Sequence, residues 1–218
     1  MIITVPDIHL VKGELLTSDG KGEYMKIHEQ QGTMDGACSV YSVAMSLLYE
    51  NIISYDDVEQ PGRSNGARLL KDLVSNYGLI KKGFKLYNLT SIIKSYSTKN
   101  WSVEYNVGTP KECVEGICEE IKNGYAPIVG IGYTGTDKGH ALLAVGYEKS
   151  EKISKIFCLD PGAPTPKTSI WNSYIDVHNL KQSSIYVNDL SMLVVCDLVR
   201  VEEYFVIKNH LDIAITLP

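Results

Sequence analysis

Cys38 is the residue whose type and position most favour covalent chemistry. It follows a turn-forming stretch, residues 32–36, and opens the segment 39–49, in which apolar residues recur on one face at helical spacing. A thiol at a helix N-terminus lies at the positive end of the helix dipole, which lowers its pKa and favours the reactive thiolate. The alternative is a small buried cysteine that only fills the core. Cys38 is therefore a candidate nucleophile.

Two residues in the second half of the chain could activate this thiol. His140 enters a run of small and aliphatic residues, 141–147, which predicts a buried strand, and Asp160 ends the next β-rich run, just before a Pro-Gly pair. Adjacent antiparallel strands would bring the two side chains together. The carboxylate could then fix the imidazole tautomer and stabilise the imidazolium. Taken singly, His140 could be an ordinary core or surface histidine and Asp160 a turn residue.

A glutamine before the candidate nucleophile could stabilise an oxyanion. Gln31 lies in the loop that leads into the predicted helix, seven residues before Cys38. Its side-chain amide could donate to an oxyanion together with the backbone N–H of Cys38. Gln30 competes for this role, and either residue could be an ordinary solvated glutamine.

Helical patterns dominate the first part of the chain. Apolar spacing and capping residues predict helices over 39–49, 64–77, 88–97 and 110–123. Ser64 or Asn65 could cap the second helix, and Gly78 would end it. Pro110 suits the first turn of the fourth helix, where its missing N–H costs nothing.

Short β-rich runs dominate the second part. They cover residues 127–133, 141–148, 153–160, 184–199 and 202–208. The prolines of 161–168 cannot serve a sheet ladder, so this segment is expected to be a loop. The order of elements predicts an α+β fold, with an N-terminal helical half followed by a C-terminal, mostly antiparallel sheet. Because no repeat or linker interrupts the chain, we expect one domain, with a helical lobe at about 28–124 and a sheet lobe at about 125–218.

Composition excludes several functional classes. The 218 residues are 44% apolar and 22% charged, which is typical of a globular protein rather than a collagen, a coiled coil or a disordered chain. The net charge of −5 and the absence of a Lys/Arg cluster argue against nucleic-acid binding. No window of 18 apolar residues predicts membrane insertion. The N-terminus lacks the pattern of a secretory signal, so we expect a cytoplasmic protein or one exported without a visible signal peptide.

The five cysteines do not suggest a disulfide framework or a zinc site. Their number is odd and their spacing is irregular, so all five thiols are expected to be free. The histidines outside position 140 have no mutual spacing that suggests a metal site. No cofactor or metal is therefore expected, and the oligomeric state is left open.

Three sequence blocks together resemble the papain-like cysteine peptidases. They are Gln31 with the run Gly36-Ala37-Cys38-Ser39-Val40-Tyr41-Ser42-Val43-Ala44-Met45, then Gly139-His140-Ala141-Leu142-Leu143-Ala144-Val145-Gly146-Tyr147, then Leu159-Asp160-Pro161-Gly162. Two bacterial branches look most similar, namely the staphopain-type proteases and the leader peptidases of bacteriocin exporters. The resemblance covers residues 28–165, and Asp160 stands where papains proper carry Asn.

This resemblance implies a papain-like fold in which the helix that carries the nucleophile packs on the antiparallel sheet. It also implies Cys38 as nucleophile, His140 as general base and acid, Asp160 as the residue that orients His140, and Gln31 as oxyanion donor. The expected activity is that of a thiol protease acting on a protein or peptide substrate through an acyl-enzyme. Two alternatives stay open. One is a papain-like glutamine deamidase or acyltransferase effector acting on a host or partner protein, and the other is a non-catalytic papain-like module that binds peptides.

Overall fold

The computed structural model describes residues 1–32, 37–60, 62–77, 85–178, 184–190 and 193–210, and the side chains of all of these except 76–77, 184–190 and 193–197. The helices are α1 (Cys38–Tyr49), α2 (Tyr55–Glu59), α3 (Asn65–Tyr77), α4 (Leu86–Tyr96) and α5 (Pro110–Lys122). The strands are β1 (Ile2–Thr4), β2 (Ile8–Val11), β3 (Glu14–Ser18), β4 (Tyr24–Lys26), β5 (Trp101–Val107), β6 (Ile128–Tyr133), β7 (Gly139–Lys149), β8 (Ile153–Leu159), β9 (Ser173–Asp176), β10 (Ser184–Leu190) and β11 (Leu193–Asn209).

All four helices that the sequence predicts are present, and their ends follow the capping residues. Ser64 caps α3, because its side-chain oxygen accepts a hydrogen bond from the backbone N–H of Ala67 at 3.1 Å. Pro110 is the first residue of α5, and Thr109 forms a capping box with Glu112 before it. Gly78, the expected end of α3, lies outside the described residues.

Helix α1 is the central helix of the fold. Val43, Met45, Leu47 and Leu48 are completely buried, so the helix is enclosed on more than the one face that the sequence predicts. Three buried serines lie among its apolar residues, so the helix lies in the protein interior although it is not apolar on every face. The Ser42 hydroxyl donates to the backbone carbonyl of Ala141 in β7 at 3.1 Å, which ties α1 to the sheet.

The large sheet is antiparallel in every pairing between described strands. Strands β6, β7, β8, β9, β10 and β11 pair in succession, and β6 and β11 also pair, so the sheet closes into a ring. Strand β1 joins β7, and β5 joins β11. The helices together with this sheet make the α+β, papain-like fold that the sequence predicts.

Several strands were not predicted. Strands β2, β3 and β4 form a separate three-stranded sheet near the N-terminus. Its first hairpin turns at Lys12-Gly13, where both residues have positive φ, as a two-residue turn between twisted strands requires. Strand β5 lies within the expected helical lobe. Its pattern is short, with Trp101 and Val103 buried and Glu104 exposed, and such a pattern is easily overlooked between two helices.

Candidate active site

The N-terminus of α1 places the Cys38 thiol at the edge of the large sheet. Cys38 is the first helical residue, the preceding Ala37 supplies no side-chain cap, and no acidic residue lies in the first turn. The backbone amides of Ser39 and Ala141 lie against the sulfur and stabilise its thiolate form. The predicted turn before the helix includes residues 33–36, which lie outside the described residues.

The pairing of β7 with β8 brings His140 and Asp160 together. Leu143 pairs with Leu159, so His140 near the start of β7 lies close to Asp160 just after the end of β8. The Nε2 atom of His140 lies 2.6 Å from Oδ1 of Asp160. The Asp160 side chain is only 1% exposed, so solvent barely screens this contact. Juxtaposition of these two strand ends is what the sequence predicts.

Cys38 and His140 are hydrogen-bonded to each other. Because Asp160 occupies Nε2, the nitrogen left for the thiol is Nδ1. Burial opposes the thiolate, but the hydrogen bond and positive charge of His140 outweigh it and lower the pKa of Cys38. Burial also opposes the imidazolium, but the hydrogen bonds and negative charges of Asp160 and Cys38 raise the pKa of His140. The arrangement therefore favours the thiolate–imidazolium pair over the neutral thiol and imidazole.

The other described cysteines have raised pKa values, in contrast to the lowered pKa of Cys38. Burial raises the pKa of Cys113, raises that of Cys118 to about 12, and raises that of Cys158. These three and Cys38 are free thiols. The side chain of Cys196 lies outside the described residues, so the expectation of five free thiols is met for four and stays a prediction for the fifth.

Gln31 lies beside the loop that follows Asp160. Its backbone N–H donates to the carbonyl of Pro161 at 2.8 Å. Its side chain is half-buried, and the enclosed Oε1 atom has no hydrogen-bond partner among the described residues. Gln30 is exposed instead. Gln31 is therefore the enclosed one of the two glutamines and lies beside the Asp160 loop, and its role as oxyanion donor stays a prediction.

Polar contacts that the sequence analysis did not identify hold Asp160 in place. The backbone N–H of Gly162 donates to Oδ1 of Asp160 at 2.7 Å. Asn172 spans the backbone of Asp160, since its Oδ1 accepts from the Asp160 N–H at 2.7 Å and its Nδ2 donates to the Asp160 carbonyl at 3.0 Å. His28 also contacts this carbonyl. Partners that lie far apart in sequence and contact a backbone group leave no spacing signal.

A cavity of about 400 Å³ lies between α1 and α3. Val40, Ala44 and Leu70 give it apolar walls, and Glu29 and Glu59 add acidic groups. None of Cys38, His140 and Asp160 lines it. The Cys38–His140 pair therefore lies outside this cavity.

Among the described residues, no cluster of His, Cys, Asp and Glu is arranged to hold a metal ion. In the same part of the chain, no helix is long and apolar enough to cross a membrane.

A comparison with protein families gives a match over most of the chain. The sequence model of the Peptidase_C39 like family matches residues 24–185, a range that includes Gln31, Cys38, His140 and Asp160. This match agrees with the resemblance to papain-like cysteine peptidases and extends 20 residues beyond residue 165, where that resemblance ends. The closer likeness to staphopain-type proteases stays a prediction. No curated protein sequence matches the chain.

Proposed function

Because the chain belongs to the Peptidase_C39 like family, we propose that it is a cysteine peptidase that cleaves a protein or peptide substrate through an acyl-enzyme on Cys38. The observation that carries the proposal is the contrast between the cysteines. The pKa of Cys38 is lowered by a hydrogen-bonded histidine, whereas burial raises the pKa of the other three described cysteines. A lowered pKa in a partly exposed thiol is typical of a nucleophile.

The first half of the reaction forms the acyl-enzyme. The Cys38 sulfur attacks the carbonyl carbon of the scissile bond while its proton resides on His140. The oxyanion of the tetrahedral intermediate accepts hydrogen bonds from the Cys38 backbone N–H and the Gln31 amide. The C–N bond then breaks as the imidazolium of His140 gives its proton to the leaving amine. A thioester to Cys38 remains.

The second half releases the acyl group. Water attacks the thioester carbonyl, and His140 takes the proton from the water. The C–S bond breaks, the carboxylic acid leaves, and the sulfur departs as the thiolate beside the imidazolium. Throughout the cycle Asp160 holds the ring and stabilises its charged form, because its oxygen lies 2.6 Å from Nε2. These steps require no cofactor.

Selective alkylation tests whether Cys38 is activated in this way. We expect one equivalent of iodoacetamide at neutral pH to label Cys38 in preference to the other cysteines, as located by mass spectrometry of proteolytic peptides. His140→Ala should abolish the rapid labelling, because the thiol loses its ion-pair partner. Labelling that is slow, or that is unchanged in His140→Ala, would contradict an activated nucleophile and favour a non-catalytic peptide-binding module.

Product mass separates peptidase from deamidase chemistry. A peptidase splits its substrate and creates a new N-terminus, whereas a deamidase replaces a glutamine amide by a carboxylate and leaves the chain intact. We expect cleavage of unstructured protein substrates by the native protein and none by Cys38→Ala. Deamidation without cleavage would overturn the peptidase assignment while leaving Cys38 as the nucleophile.

A further inference from the structure

A buried histidine, His28, lies behind the triad. It follows β4 and comes three residues before Gln31. Its side chain is buried, and both ring nitrogens have partners. Nε2 lies 3.0 Å from the backbone carbonyl oxygen of Asp160, and Nδ1 lies 3.0 Å from Oγ1 of Thr165. His28 therefore bridges the two ends of the loop 160–165.

The partners of His28 define its tautomer. The Asn172 amide nitrogen also lies 3.2 Å from Nε2, but its two hydrogens have carbonyl acceptors at Asp160 and Pro164. A carbonyl oxygen can only accept, so Nε2 carries the proton and donates to Asp160. Nδ1 then accepts from the hydroxyl of Thr165. Burial lowers the pKa of His28 despite the opposing influence of Asp160, which keeps the ring neutral near pH 7. The neutral Nε2–H form is the one that this pair of contacts needs.

The loop that His28 bridges carries the acidic member of the triad. It is tied to the N-terminal segment 28–31 at a second point, where the Gln31 N–H donates to the Pro161 carbonyl at 2.8 Å. One short segment therefore holds the backbone of Asp160 and carries the candidate oxyanion donor. A shift of this segment would change the position of Asp160 against His140 and that of Gln31 together.

We infer that His28 is a positioning residue for the catalytic triad, acting through the carbonyl of Asp160 and not through substrate. The inference rests on the proposed function, because it assigns the consequence of the contact to the reactivity of Cys38. A buried imidazole is costly unless its nitrogens are hydrogen-bonded, so an apolar side chain would serve mere packing at lower cost. The polar ring, bonded at both nitrogens to the Asp160 loop, indicates that orientation of this loop is its role.

Two amide substitutions separate the contributions of the two ring nitrogens of His28. The side-chain nitrogen of Gln can occupy the place of Nε2, so His28→Gln keeps the donor to Asp160. The shorter Asn side chain reaches only the place of Nδ1, so His28→Asn keeps the contact with Thr165 and loses the one with Asp160. His210 provides a matched control, because its Nε2 lies 2.9 Å from the hydroxyl of Ser102 on β5.

The measurement is the rate of Cys38 alkylation as a function of pH, together with the thermal midpoint of each variant. We expect His28→Asn to move the titration of the Cys38 thiol to higher pH and to slow alkylation at pH 7 by about threefold to tenfold, the scale of one neutral hydrogen bond. His28→Gln should restore most of the native profile, and His210→Asn should leave it unchanged.

Two results would contradict the inference. The Cys38 thiol could titrate at the same pH in His28→Asn as in the native protein, or its titration could shift equally in His28→Asn and His28→Gln. Either result would reduce His28 to a packing residue. If His28→Asn does not fold, Thr165→Val tests the same bridge and should shift the titration in the same direction by a smaller amount. An unchanged titration in that variant would overturn the inference. The readout needs no substrate, so failure of the peptidase proposal would show separately as absent cleavage with these shifts intact.

Discussion

Replacing Asp160 with Asn would separate the charge of this residue from its shape. In the native site, Oδ1 of Asp160 lies 2.6 Å from Nε2 of His140 and 2.7 Å from the N–H of Gly162. An amide oxygen in the same place could accept both hydrogen bonds. The ring of His140 would therefore stay oriented, while the negative charge that stabilises the imidazolium would be lost.

The size of the effect follows from the kind of hydrogen bond that is lost. A hydrogen bond to a charged group contributes about 1.5–3 kcal/mol, and a neutral one about 0.5–1.5 kcal/mol. The two ranges differ by about 1.0–1.5 kcal/mol, which corresponds to roughly one pH unit in a pKa. Asp160→Asn should therefore lower the pKa of His140, which is about 10 in the native protein, by roughly one pH unit. The pKa of Cys38 should rise, because its partner is charged less readily.

Both shifts narrow the pH range over which the ion pair exists. The pair forms as the pH rises through the pKa of Cys38 and is lost as the pH rises through the pKa of His140. Two measurements against pH would report the pKa values of Cys38 and His140 that bound this range. They are the thiolate absorbance, from which the absorbance of the Cys38→Ala variant is subtracted, and the rate of alkylation. We expect a modest loss of reactivity at the optimum. Two results would refute the claim that the charge of Asp160 and its orienting role are separable. One is that both pKa values stay unchanged in Asp160→Asn, and the other is that Cys38 loses as much reactivity at the optimum pH as it does in Asp160→Ala.

Three further predictions concern the other members of the site. Gln31→Ala should lower turnover on the order of 10²–10³-fold, the usual scale for one oxyanion donor, and leave Cys38 alkylation nearly unchanged. A loss of turnover in Gln30→Ala instead would transfer that role to Gln30. Cys38→Ala should abolish cleavage and His140→Ala should be nearly as severe, so substantial turnover in either variant would contradict the acyl-enzyme route. Because burial lowers the pKa of His28 from 6.5, its contribution to stability is present above pH 6.5 and is lost as the pH falls towards the folded-state pKa. The thermal midpoint should therefore fall less between pH 7 and pH 5 in His28→Gln, and an equal fall would contradict a neutral buried ring.

The proximity of Cys38, His140 and Asp160 could be predicted because each residue occupies a recognisable local position. Cys38 opens an apolar helix, and His140 and Asp160 lie at the ends of two runs of strand-forming residues. Antiparallel pairing of successive strands is the commonest arrangement, so the meeting of residues 140 and 160 needs only a short connection. Helices α1, α3, α4 and α5 were predicted for the same reason, because their apolar spacing and their caps lie within one segment, whereas the five-residue helix α2 was not predicted.

The support behind the triad could not be predicted. His28 and Asn172 act through the backbone carbonyl of Asp160, and the sequence does not encode such a contact in any spacing. Burial of α1 on several sides depends on elements that lie far apart in the chain, since the helix packs against β7, β6, β3 and α3. Strand β5 was overlooked because its partner, β11, lies about 100 residues further along the chain.

Trapping of the acyl-enzyme is the most direct test of the central claim that Cys38 cleaves peptide bonds by covalent catalysis. The native protein would be mixed with an unstructured peptide pool, quenched in acid and analysed by intact-mass and peptide-mapping mass spectrometry. We predict new peptide termini together with an acyl group in thioester linkage to Cys38, and neither in Cys38→Ala. New termini that persist in Cys38→Ala, or an alkylation-competent Cys38 that never carries an acyl group while peptides stay intact, would contradict the account.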